Sequence, residues 1–205
     1  MNIFRLFSKI TVVGFLVIAA LVVTLTNAPV WAANERSLDS VLSETEAEML
    51  TYMREEEKLA RDVYLVMYEQ WAAAIFSTIA SSEQQHMDTM KKKLDKYNLP
   101  DPALPTNGLF TNTDLQDKYD QLVESGFASY VAGLNVGATI EEIDMVDIQH
   151  AIGITTHVDV VNAYQSLLEG SKNHLRAYVG ALATQGVTYA PQYISQELFD
   201  AIMGG

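Results

Sequence analysis

The chain is 205 residues long, 49% apolar and 19% charged, with a formal net charge of −13 and no cysteine. That length holds one compact domain plus a processing segment, and the composition can fill a core. The acidity argues against nucleic acid or an anionic membrane as a partner, and the lack of cysteine excludes disulfides, iron–sulfur clusters, thiolate zinc sites and cysteine nucleophiles together.

Residues 1–32 differ from the rest. Arg5 and Lys9 form a short positive region, no acidic residue precedes Glu35, and an apolar run extends from Ile10 to about Thr26. Val30-Trp31-Ala32-Ala33 then offers small residues for a signal peptidase. The segment reads as a signal peptide. Its apolar run also approaches the roughly 20 residues that span a bilayer, so an N-terminal anchor is the alternative. Either way the protein is expected to be exported, periplasmic or extracellular. Residues 33–42 read as a linker and 43–205 as the folded domain. Losing Arg5 and Lys9 would take the charge from −13 to −15. Such a surface attracts cations, although acidity for solubility alone would look the same.

Helical periodicity then dominates. A first helix is expected from about Glu44 to Gln70, opened by the capping-box pattern Ser43-Glu44-Thr45-Glu46, with the stripe Leu50, Met53, Glu57, Ala60, Tyr64, Met67. A second runs from about Ala74 to Tyr97, with the stripe Phe76, Ile79, Glu83, His86, Met90, Leu94, and stops at Asn98-Leu99-Pro100-Asp101-Pro102. A loop rich in Pro, Asn and Thr and a short helix from Thr113 to Glu124 follow. The third long helix spans about Ala128 to Ile152 (Leu134, Ala138, Glu141, Met145, Ile148, Ile152). The fourth spans about Val158 to Gln185 (Tyr164, Leu167, Ser171, His174, Tyr178), with Gly186 as its stop. A tail containing Pro191 and one last short helix close the chain. Strand signals are nearly absent. Short, long and short links between four helices describe an all-α four-helix bundle, and the single long crossover between helices two and three is its ferritin-like variant.

Each stripe is interrupted by a residue able to bind metal: Glu57, the pair Glu83 and His86, Glu141, and His174. One buried carboxylate is costly, whereas several together make sense if cations neutralise them. In Glu83-Gln84-Gln85-His86 the three-residue step puts both side chains on one helix face, so a carboxylate can bridge ions while an imidazole caps one. Carboxylate-bridged di-iron and di-manganese bundles are built from this element. The apolar stripe of helix three favours Glu141 over Glu142 by one position, and Glu142 stays open as the ligand. Glu56 shares a face with Met49, Tyr52 and Val63 and is a reserve in helix one.

On these residues the chain resembles rubrerythrin-type proteins. Glu57-x-x-Ala60-Arg61-x-x-Tyr64 is similar to their first-helix motif, whose glutamate is an iron ligand, and Ile79-Ala80-x-x-Glu83-x-x-His86 to their second. It resembles still more closely a prokaryotic ferritin-like group known only as a domain of unknown function, from about Leu42 to Ile202. That likeness rests on Glu55-Glu56-Glu57-Lys58-Leu59-Ala60-Arg61-Asp62-Val63-Tyr64, Ser82-Glu83-Gln84-Gln85-His86-Met87-Asp88, Ile140-Glu141-Glu142-Ile143-Asp144 and Gly170-Ser171-Lys172-Asn173-His174-Leu175-Arg176. Two departures matter. Helix four carries Ser171-x-x-His174 where a standard di-iron bundle repeats Glu-x-x-His, so Asp144 or a water must stand in for one carboxylate. No rubredoxin module is present, so electrons for turnover would come from an unidentified donor.

His150 and His157 are expected at the surface. Methionines and tyrosines mostly follow the core stripes, and Tyr64 and Tyr178 are expected to pack with satisfied hydroxyls close to the site. Arg61 and Arg176 are expected to pair with acids such as Asp62 or Glu142. No phosphate-binding glycine loop, nucleophile elbow or nucleotide fingerprint occurs. The expected ligand set is therefore Glu57, Glu83, His86, Glu141 or Glu142, Asp144 and His174, holding two ions of iron, with manganese or zinc as alternatives. Three functions are compatible: a di-iron oxidase or peroxidase acting on oxygen or peroxide, a metal-binding or storage protein without turnover, and a metal-free structural or interaction domain. A homo-oligomer is compatible with each.

Overall fold

The computed structural model describes residues 41–204. The segment read as a signal peptide or anchor, and all of the linker up to residue 40, lie outside the described residues. No described helix is long and apolar enough to cross a membrane. Among the described residues the chain forms six helices and no strand: α1 Glu44–Trp71, α2 Ala74–Lys96, α3 Thr113–Gly126, α4 Tyr130–Ile154, α5 Val158–Thr184 and α6 Gln196–Met203.

Local chemistry sets the ends. Ser43 Oγ accepts from the Glu46 amide while Glu46 Oε2 accepts from the Ser43 amide at 2.8 Å, so the capping box forms as the sequence predicts. Ala72 ends α1 in the left-handed region, φ 52°, leaving a two-residue link to α2. Asn98, φ 55°, ends α2 as the Leu99 amide reaches back to the Leu94 carbonyl. Asn112, Ser129 and Ser195 cap α3, α4 and α6 with their side chains. The third long helix therefore starts at Tyr130 rather than Ala128, because Ser129 is its cap.

The packing of the four long helices is compatible with a four-helix bundle. α1 packs on α2 and α4, and α5 packs on the same two, while the backbones of the diagonal pairs α1/α5 and α2/α4 stay apart and only long side chains meet between them. The crossover thus joins diagonally opposite helices, which is why it needs a long loop and α3, itself lying on α1 and α4. Side chains of α1 pin that loop. Arg54 pairs with Asp101 through two 3.0 Å contacts, and Glu55 accepts from the Thr111 and Asn112 amides. Lys58, wholly buried, pairs with Asp62, donates to the Thr106 carbonyl at 3.0 Å and sits 4.3 Å from the centre of the Phe110 ring.

The apolar core is in two parts. One gathers Leu59, Tyr64, Met67, Phe76, Leu134 and Tyr178, the other Leu50, Met53, Met90, Leu94, Ile148 and Leu167. Each fully buried side chain of this size contributes about 1.5–3 kcal/mol. Between the two parts lies a layer of acids and imidazoles.

Candidate metal centre

The stripes bring Glu57 of α1, Glu83 and His86 of α2, Glu141 of α4 and His174 of α5 into that layer. The three glutamates are 1–2% exposed, and the two imidazoles only slightly more open. His86 Nδ1 lies 2.8 Å from Glu83 Oε2 and 3.2 Å from Glu57 Oε2. His174 Nδ1 lies 2.7 Å from Glu83 Oε1 and 3.4 Å from Glu141 Oε2. Two triads result, Glu57–Glu83–His86 and Glu83–Glu141–His174, each with its ligand atoms within 4.8 Å of one another. Glu83 belongs to both, giving one oxygen to each side.

The surroundings fix these groups. Tyr64 Oη donates to Glu141 Oε1 at 2.5 Å, and Ser82 Oγ lies 2.9 Å from His174 Nε2. Tyr64 packs against Tyr178 with ring centres 5.4 Å apart. Two glycines make room. A Cβ at Gly170 would fall 2.5 Å from His86 Nε2, and one at Gly137 would fall 2.4 Å from the Tyr178 ring. Neither glycine stands out in the sequence, because the close approach involves a partner helix.

Asp144 borders the layer. Ser171 Oγ donates to Asp144 Oδ2, so the serine of α5 holds an acid from α4 beside the layer. Glu142 is turned away: its Oε2 accepts from the amides of Gln192, Tyr193 and Ile194. Between the two neighbouring glutamates, only Glu141 faces the imidazoles. Glu56 is buried too, but its Oε1 meets Tyr52 Oη at 3.2 Å and Lys118 at 3.7 Å, outside both triads.

Electrostatics separates the members. Burial raises Glu83, yet His174 and His86 at its oxygens outweigh this and hold it at about 2. Burial pushes Glu57 up to about 8, against the pull of His86 and with help from Glu83. Burial lowers both imidazoles, but Glu57 and Glu83 lift His86 to about 12, and Glu141 and Glu83 lift His174 to about 10. Asp144 is pushed well above its ordinary value by burial and then by Glu57, Glu56, Glu141 and Glu83. Two imidazolium rings thus balance the clustered carboxylates. Even so, Glu57 Oε1 and Asp144 Oδ1 find no hydrogen-bond donor among the described residues. Buried acceptors without donors are costly, and the donor set, carboxylate and imidazole, suits iron, manganese or zinc.

Several expectations need correction. His157 is buried, not at the surface: its Nδ1 lies 2.9 Å from Glu46 Oε1 and its ring meets the Tyr97 ring edge-on. The α4–α5 turn folds back onto the start of α1, a contact the local sequence does not carry. His150 is exposed as expected. Tyr64 has the partner expected of it, whereas the Tyr178 hydroxyl is buried without one among the described residues. Arg61 pairs with Asp62, but Arg176 donates to the Ile202 carbonyl rather than to Glu142, which the tail amides occupy.

A bundle of long helices enclosing a buried carboxylate–histidine layer defines the class of this molecule. The chain belongs to the family described as an uncharacterized protein domain, DUF2202, which it matches over residues 46–205. It is similar to uncharacterized protein MJ0754 of Methanocaldococcus jannaschii, 48% identical over 163 residues that cover 79% of this chain and 88% of the relative. The crystal structure described as hypothetical protein MJ0754 from Methanococcus jannaschii DSM 2661 superposes with a TM-score of 0.79 at 48% identity, over 80% of this chain and 94% of that one.

Proposed function

We propose that this protein is a ferritin-like metal protein that binds two divalent ions, iron or manganese, which Glu57, Glu83 and His86 on one side and Glu83, Glu141 and His174 on the other would hold. Zinc suits the same donors. The observation that carries this reading is the pair of triads sharing Glu83, with Glu57 Oε1 in the layer and Asp144 Oδ1 beside it left without donors among the described residues. Bound ferrous iron would supply the electrons that reduce oxygen or peroxide. Around it, Tyr64 would orient Glu141, Ser82 would fix the His174 ring, and the apolar core on both sides would exclude water. Asp144, held by Ser171, is placed to serve in the stead of the missing helix-five carboxylate. The N-terminal sequence supports export, and turnover would draw on a separate electron donor.

The test is metal content per chain after purification without chelators from cells given iron and manganese. About two equivalents are expected for the native chain and none for the double variant Glu83→Ala, His86→Ala. Unchanged metal in that variant would remove the site assignment. Consumption of peroxide or oxygen by the ferrous protein separates a redox role from metal storage. A folded native chain that refuses all metal would leave the metal-free structural reading.

A further inference from the structure

The layer is sealed unevenly. The side chains of Glu57, Glu83 and Glu141 are 1–2% exposed, whereas those of His86 and His174 are 12% and 11% exposed. Both rings lie along the seam between α2 and α5. His86 turns its Nε2 edge to Gly170 of α5, where a Cβ would fall 2.5 Å away. His174 turns its Nε2 to Ser82 of α2, itself half-buried. Both Nδ1 atoms point inward, to Glu83. The imidazole edges are thus where the layer comes nearest to solvent.

The other three seams are covered. Arg61 of α1 donates to Gln84 of α2 at 2.5 Å across the first, beside the layer. α3 lies over α1 and α4. The tail straps α4 to α5, held by Glu142 on one side and by Arg176, which donates to the Ile202 carbonyl, on the other. Among the described residues no further helix packs on both α2 and α5, and these two touch less than any other neighbouring pair of the four. Their charged fasteners stand away from the layer. Asp159 of α5 accepts from Lys93 at 2.9 Å and from Tyr97 Oη at 2.6 Å, and it pairs with Lys96 at 2.8 Å. It precedes Gly170 by about three turns, roughly 16 Å along the helix. A seam with few contacts, fastened by charge at one end, opens more readily than its neighbours.

We propose that the α2–α5 seam is the entrance through which divalent cations load the buried centre, opening as the two helices part and the imidazole rings turn aside. An ion passes between Ser82 and Gly170, the two small residues that face the rings, and comes to rest inside them against Glu83. Asp159, far from every proposed ligand, governs how often the seam opens, because it holds α5 to the end of α2. This assignment rests on the dinuclear reading above.

Mixing cobalt(II) rapidly with the metal-free full-length protein, and following its visible absorption, gives the loading rate and the final stoichiometry separately. Asp159→Asn should load about threefold faster, because the loosened seam opens more often. Its final stoichiometry should stay at two equivalents. Loss of a surface acid would by itself slow a cation, so the direction of the change separates opening from simple attraction. Ser82→Leu should load about tenfold more slowly than Ser82→Ala. Both lack the hydroxyl that meets His174, so the comparison reads the bulk in the gap alone. Lys118→Met, over the α1–α4 seam, should load at the native rate. An unchanged or slower rate in Asp159→Asn would overturn the entrance, and a changed rate in Lys118→Met would send the ions in beside α3 instead. Asp159 is a surface residue, so its variant keeps the test decisive even if Ser82→Leu fails to fold. No cobalt uptake by the native chain would remove the dinuclear centre itself, a failure visible in the stoichiometry before any rate is compared.

Discussion

Two sets of buried carboxylates sit on the same helices and differ in what they accept. Glu46, Glu55 and Glu142 take backbone amides: Glu46 from Ser43 and Thr156, Glu55 from Thr111 and Asn112, Glu142 from three consecutive residues of the tail. Each clamps a loop onto the bundle. Glu57, Glu83, Glu141 and Asp144 accept no backbone amide among the described residues; a tyrosine, a serine and two histidines are their only partners. The reason is geometric. Helix backbones spend their amides internally, so an acid facing other helices meets only side chains, whereas one facing a loop meets free N–H groups. Burial alone therefore does not mark a functional acid in this fold. The kind of donor does.

The largest stability effect is expected at the tail clamp. Glu142→Ala should cost about 3 kcal/mol, since three amides lose a charged acceptor, and denaturant unfolding of the metal-free protein would measure it; an unchanged midpoint would show the tail holds without the clamp. Glu46→Gln should cost about 1.5 kcal/mol at pH 7. Hydrogen bonds from His157, Thr156 and Ser43 outweigh burial and hold the Glu46 carboxyl well below its ordinary range. Its folded pKa is depressed, so its contribution is present above about pH 4.5 and fades as pH falls through the folded value. Thermal melts of variant and native should therefore converge in acid, and a pH-independent gap would show that its charge is irrelevant. Glu57→Gln should change stability least, within about 0.5 kcal/mol in the metal-free state, because burial raises its carboxyl above the ordinary range and an amide of the same shape keeps its place beside His86. The same variant should lose at least one equivalent of metal by elemental analysis. A large destabilisation with metal content intact would place Glu57 among the structural acids and break the distinction.

Much of the helical layout was legible because periodicity reports which face is inward. Glu57, Glu83, Glu141 and His174 interrupt apolar stripes at corresponding heights, and the structure brings them into one layer. What was not legible depends on contacts between distant segments. Nothing in the local pattern marks Lys58 as buried, yet the crossover loop folds over it and supplies the Thr106 carbonyl. His157 is buried by Glu46, far away in sequence. The stripe favoured Glu141 over Glu142 by only one position, both are buried, and the partner that occupies Glu142 comes from the tail. Gly170 matters only through the ring of His86 on another helix.

Because the crossover joins diagonal corners, the bundle is assembled from two helical hairpins, α1–α2 and α4–α5, whose internal contacts are far more extensive than those between them. Glu57, Glu83 and His86 all belong to the first hairpin, while Glu141 and His174 belong to the second. Local hairpins form quickly and their docking is the slower, long-range event. One triad is therefore complete within a single hairpin, and the other exists only after docking, with Glu83 the residue that spans the seam. An ion on the second triad would act as a rivet across that seam, so hydrogen exchange along α4 and α5 is where occupancy would be felt most.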